Sequence, residues 1–163
     1  MGLFEGISKF ALVSAILTAV GFLVHLIGYG APYWFKSGIY HSGLWKSCAG
    51  SICGDFVGSS FLPAWLEATQ AFETLAFLAI LAALIVMGLK FTVMKEQKIL
   101  LIVIFILQFA SVGLILLGVI IYGAENSTTS FGFAFVFVII ASIIMLVAGV
   151  FSFLDWRGSS SPA

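Results

Sequence analysis

Charge is the scarcest thing in this sequence. Seven Lys or Arg and seven Asp or Glu among 163 residues make up 9% of the chain and cancel to zero net charge. A soluble domain carries about 25% charged residues, so this chain cannot cover a water-facing surface. It has no basic patch to neutralise phosphates, which excludes nucleic acid as a partner. Cysteine is nearly absent too, with only Cys48 and Cys53. They do not form the C-x-x-C of a redox pair, and a zinc site would need four ligands where only His41 lies close. A Ser-His-Asp spacing, an H-E-x-x-H helix and a P-loop are missing as well. No enzyme activity, metal or cofactor is therefore expected. Gly6 stands where N-myristoylation of Gly2 would need Ser or Thr.

What the sequence has in abundance is apolar length. Hydrophobic residues make up 62% of the chain, and the mean hydropathy is +1.21. A membrane-spanning helix needs about 20 apolar residues, and four runs meet that length, at about 10–29, 65–87, 99–122 and 131–154. The first run exceeds the 7–15 apolar residues of a signal peptide and no A-x-A site follows it, so it reads as a span. The expected fold is an all-α membrane protein: one domain over 1–163, a four-helix bundle embedded in a lipid bilayer.

Orientation follows from basic residues near the span ends. Lys9, Lys90, Lys95, Lys98 and Arg157 fall on one side, and Lys36 and Lys46 on the other. This bias places both termini and the 88–98 loop in the cytoplasm of a multi-pass plasma-membrane protein. Segments 30–64 and 123–130 are then outside. Asn126-Ser127-Thr128 is a glycosylation sequon in the second of them. Both cysteines lie in the first, where disulfides persist, and a structural bond between them is the expected state. Strand-like pieces at 33–36, 38–40, 44–47 and 52–57 are broken by Gly and Ser. They predict a small outer antiparallel sheet, which needs a helix platform or a staple to be stable.

Few polar side chains interrupt the spans. His25 and Glu73 lie toward the outer halves of adjacent spans, where an ionisable group has either a functional role or a partner on the next helix. Glu67, Gln70 and Thr74 share one face of the second span, predicted to meet the bundle or the underside of the sheet. Gly113, Gly118, Gly123, Gly132 and Gly149 are expected at close helix contacts. Trp34, Trp65, Tyr29 and Tyr122 read as an outer aromatic belt and Trp156 as part of an inner one. Leu44 and Trp45 follow Gly43 in a segment that must otherwise tolerate water. They are predicted to anchor the sheet on the bundle, with Glu67 or Gln70 accepting the Trp45 indole N–H.

The pattern Trp34…Gly43-Leu44-Trp45-x-x-Cys48…Cys53 resembles the signature of the claudin superfamily. The order of spans, the long first outer loop and the short second one are similar as well. The stretches from Trp65 to Ala71 and from Ser130 to Phe135 look like span entries of the branch holding peripheral myelin protein, epithelial membrane proteins and the lens fibre membrane protein. The resemblance implies a claudin-like bundle and sheet and a non-enzymatic role in cell–cell contact and membrane organisation, exercised through self-association or other membrane proteins. It also admits an auxiliary subunit of an ion channel or receptor, or a junctional barrier or pore. The two cysteines are closer together than in the family, which implies a tighter strand turn.

Overall fold

The computed structural model describes residues 6–57, 59–127 and 130–160, with only the helical backbone at 159 and 160. It is mostly helical, with four long apolar helices and one four-stranded antiparallel sheet. Helix α1 spans Lys9–Gly30, α2 Ala64–Thr92, α3 Ile99–Glu125 and α4 Phe133–Ser160. All four are long and apolar enough to cross a membrane. Each runs a little past its apolar stretch, because the backbone ladder continues wherever nothing interrupts it. Ser8 caps α1, its hydroxyl oxygen accepting from the Ala11 N–H at 3.0 Å, which satisfies one of the four unpaired donors of a helix start.

Between α1 and α2 the chain forms β1 (Phe35–Ser37), β2 (Tyr40–Ser42), β3 (Lys46–Ala49) and β4 (Ile52–Asp55) in sequential order. The sheet was expected, but its strands are shifted. Gly38 is not in a strand. It is the first residue of a two-residue loop closing Ser37 onto Tyr40, and Gly50 does the same between Ala49 and Ile52. Both have positive φ, +59° and +64°, as such hairpins require at their first loop residue. Cys48 and Cys53 face one another across β3 and β4 and form a disulfide. The tight turn implied by their spacing is therefore present.

The sheet sits at the end of the bundle where α1 ends and α2 begins. A second attachment comes from the approach to α4. Phe131 bridges Phe35 on β1. The N–H groups of Gly132 and Ala134 donate to the carbonyls of Trp34 and Tyr33 at 2.9 and 3.1 Å, and the Lys36 N–H donates to Ser130 at 3.1 Å. A Cβ on Gly132 would run into the Tyr33 carbonyl, so only glycine fits there. Gly118 leaves room for the Glu73 carboxyl and Gly149 for the Phe109 ring. The expectation fails at Gly113, which has open space beside it, and Gly123 makes only an ordinary contact with Phe135.

Candidate functional site

The segment between α1 and α2 divides into side chains that hold it down and side chains that it presents. Holding begins with Trp34, fully buried, whose indole N–H donates to the Gly28 carbonyl at 2.7 Å. Gly28 lies in the last turn of α1, where carbonyls lack intrahelical partners. The indole therefore serves as a side-chain cap for α1. Tyr122 and Phe135 meet its ring edge-on at 4.9 and 5.6 Å. Trp34 and Tyr122 are thus core residues and not belt residues. At the end of α1 the apolar depth of the bundle is within reach, and burial is favourable once the N–H has an acceptor.

Leu44 is also fully buried, and the Gln70 amide on α2 donates to its carbonyl at 2.6 Å. The Leu44 anchor is as expected. Its neighbour differs. Trp45 is only half-buried, its ring edge against Tyr29 at 5.4 Å, and its N–H has no partner among the described residues. Gln70 is turned toward the Leu44 carbonyl, to which its amide N–H donates, and Glu67 is exposed. Neither residue receives the Trp45 indole. Glu67 therefore does not belong to the buried polar stripe, and in the first turn of α2 a solvated carboxylate is favoured by the helix dipole. Gly43 has no room for a side chain, since a Cβ would lie 2.5 Å from the Ala31 carbonyl oxygen. That closeness lets the β2–β3 connection drop Leu44 into the bundle.

Beneath the sheet, His25 on α1 and Glu73 on α2 meet, Nε2 to Oε2 at 2.9 Å, both wholly buried. Nearby, the hydroxyls of Tyr29 and Thr74 are 2.7 Å apart. Phe77 stacks on Tyr29 at 5.6 Å and on His25 at 6.5 Å. The contact is the interhelical partner that such a group requires. It leaves His25 Nδ1 and Glu73 Oε1 without a partner among the described residues.

A second polar cluster had no role in the sequence reading. The Gln108 amide on α3 donates to the hydroxyls of Ser14 and Thr18 at 2.9 and 2.8 Å. Ser14 in turn contacts the Ser152 hydroxyl at 2.6 Å and donates to the Ala148 carbonyl at 2.9 Å. This network ties α1, α3 and α4 together. Its sequence signal was available: Ser14 and Thr18 are four apart in an apolar helix, and a lone Gln in another needs partners.

The presented side chains are apolar. Ile39 and Ile52 sit at the two hairpin loops at one end of the sheet and are 75% and 78% exposed. A backbone bond from the Gly50 N–H to the Ile39 carbonyl at 2.9 Å holds the loops side by side. Val57 and Phe61, beyond β4, are 78% and 93% exposed. The other face of the sheet carries Lys36, His41, Lys46 and Asp55, in register with the disulfide. His41 is stacked on Tyr33 at 4.1 Å, and its Nδ1–H donates to the Pro32 carbonyl at 2.7 Å. Asn126 ends α3, its amide donating to the Tyr122 carbonyl at 2.9 Å. The sequon's third residue, Thr128, lies outside the described residues. No protein-family model matches the sequence, and no curated protein matches it.

Proposed function

We propose that this chain is a non-enzymatic, claudin-like tetraspan membrane protein that organises membranes and cell contacts by associating with other membrane proteins, copies of itself included. Both termini are cytoplasmic and the sheet is on the outer side of the plasma membrane. One observation carries the reading. The segment between α1 and α2 buries Trp34 and Leu44 in the bundle and leaves four large apolar side chains exposed, Ile39 and Ile52 at the hairpin loops and Val57 and Phe61 beyond β4. Two of them, Ile39 and Ile52, are held side by side at the hairpin-loop end of the sheet, and apolar side chains grouped on a polar, water-facing module mark an interaction surface. The stapled hairpin and the Ser130–Phe131 strap keep that surface in a fixed position over the bundle, which lowers the entropy cost of docking.

Membrane-crosslinking mass spectrometry on intact cells tests this. Crosslinks to a partner membrane protein, or between copies, are expected from the sheet. Ile39→Asp with Ile52→Asp should remove them without reducing the amount of protein at the surface. Unchanged crosslinking in that variant would refute the surface as the docking site.

A further inference from the structure

At the end of the bundle opposite the sheet, the four helix ends border a half-open pocket of about 490 Å³. Its apolar lining includes the buried Ala11 and Leu101 together with Phe10 and Phe91. Among the described residues its charged lining consists of two ammonium groups, Lys90 and Lys95, and two carboxylates, Glu96 and Asp155. Lys90 and Asp155 are half-buried, and Lys95 and Glu96 are exposed.

The four charges line one cavity without neutralising one another. Among the described residues no ion pair joins them. Lys90 instead donates to the Lys95 carbonyl, and Asp155 accepts from the Ser8 hydroxyl. Two cations and two anions of the described residues, not paired with one another around one opening, match a ligand that itself carries one charge of each sign. The cavity's depth fixes the kind of ligand. In α2 the apolar run ends at Leu89 and Lys90 follows, while α1 begins its apolar run just after Lys9. If the helices span a bilayer, as the reading above has it, this is the plane of the lipid headgroups.

We infer that the cavity binds the headgroup of a zwitterionic aminophospholipid, of which phosphatidylethanolamine is the simplest. The phosphodiester takes charge-assisted hydrogen bonds from Lys90 and Lys95. The primary ammonium donates to Asp155 and Glu96. The glycerol end and first acyl carbons lie against Phe10 and Phe91. A choline headgroup has no N–H to donate to the carboxylates. A phosphatidylglycerol headgroup has no cation and leaves both carboxylates facing a net negative ligand.

The test is native mass spectrometry of the delipidated full-length chain in detergent, titrated separately with phosphatidylethanolamine, phosphatidylcholine and phosphatidylglycerol. One saturable molecule of phosphatidylethanolamine is expected, about tenfold tighter than either other lipid, as the loss of one charge-assisted hydrogen bond predicts. Lys90→Ala should weaken binding of phosphatidylethanolamine and phosphatidylcholine alike. Asp155→Asn should erase the preference between them. Glu96→Gln, at an exposed position, should reduce that preference and serves if Asp155→Asn does not fold. Equal binding of the three lipids by the unaltered protein, tightest binding of phosphatidylglycerol, or an unchanged preference in both carboxylate variants would overturn the assignment. Extraction of the chain from membranes by alkaline carbonate, measured in parallel, would overturn the membrane-spanning reading separately.

Discussion

The indole N–H of Trp34 donates to the carbonyl of Gly28, six residues earlier, at 2.7 Å. That bond joins the first residue of the outer segment's core to the last turn of α1. It turns a helix end that would need water into a buried joint. Gly28 itself admits no side chain, since a Cβ would lie 2.7 Å from Val138 and 2.8 Å from the Ala134 carbonyl oxygen. Helices α1 and α4 therefore touch through their backbones at the level where the sheet is seated.

The two tryptophans should respond differently. Trp34→Ala removes a fully buried ring and uncaps Gly28, and should cost about 3–5 kcal/mol. Trp34→Phe keeps most of the ring but not the bond, and should cost less. Trp45 is half-buried and its N–H is already without a partner among the described residues. Trp45→Phe should therefore be close to neutral, because it removes a buried donor that nothing accepts. Thermal unfolding in detergent orders the three variants. A Trp45→Phe as damaging as Trp34→Ala would contradict the division of labour.

The contrast between these residues shows how far the sequence could be read. Four apolar runs of spanning length were legible because the backbone of a membrane span must satisfy itself, which leaves only helices at that length. The sheet was legible from its broken, Gly-rich pieces and the turn between the two cysteines from their spacing, but the first hairpin was not, because Gly38 reads as easily as a strand residue as the first residue of a loop. Assigning Trp34 to a belt missed its burial, while Trp45 does pack against Tyr29 on the bundle but without the hydrogen bond expected of it. Both are aromatic, both lie near a span end, and only the third dimension decides which one meets the free carbonyl of Gly28. The Glu67 assignment failed for a related reason. A shared helical face says nothing about how far along its axis the neighbours extend. The pairing of His25 with Glu73 was half legible, as two polar groups at one depth. The Ser14, Thr18, Gln108 and Ser152 network needed the relative rotation of three helices, which apolar periodicity does not encode when every face is apolar.

The His25–Glu73 contact is a coupled pair and should behave as one. Glu73→Ala leaves the imidazole buried beside an empty space, and His25→Ala does the same to the carboxyl. Each should cost about 1–3 kcal/mol, the usual cost of leaving a buried polar group without its partner. Joint replacement by His25→Phe and Glu73→Leu removes both polar groups and should recover most of the loss. Glu73→Gln keeps an acceptor in place and should be mild. A double-mutant cycle on thermal unfolding gives the coupling. Additive single losses would show that the two side chains do not depend on one another.

The staple joins residues directly opposed across the β3–β4 hairpin, so it closes a very short loop. In the chain-entropy picture it contributes about 2 kcal/mol. Cys48→Ser, Cys53→Ser and the double variant should lose the same stability and show the same reduced surface level. A double variant clearly worse than either single one would indicate another role for one of the thiols.

Topology can be read with tags and glycans. Epitopes at either terminus should be reached only after permeabilisation. A sequon placed in 93–98, between α2 and α3, should stay unmodified. Asn126 should carry glycan on a fraction of molecules, because its amide already donates to the Tyr122 carbonyl at the end of α3 and must leave it to be modified. Enzymatic deglycosylation and a gel shift measure that fraction. Glycan on the 93–98 sequon would invert the orientation.

Gly132 tests whether the strap before α4 is what fixes the sheet's position. Its N–H donates to Trp34, its neighbour Phe131 bridges Phe35, and a methyl group at its Cα would press on the Tyr33 carbonyl. Backbone cannot step aside as a flexible side chain can, so Gly132→Ala should cost about 1–3 kcal/mol, as overpacking usually does. The loss should be local. Hydrogen exchange should quicken at the Lys36, Gly132 and Ala134 amides, while amides in the middle of α3 and α4 stay protected. Gly113→Ala is the control: it lies inside α3, has open space beside it, and gains helix propensity of about 1 kcal/mol. If Gly132→Ala leaves exchange at β1 unchanged, the strap is incidental and the sheet is held by Trp34 and Leu44 alone.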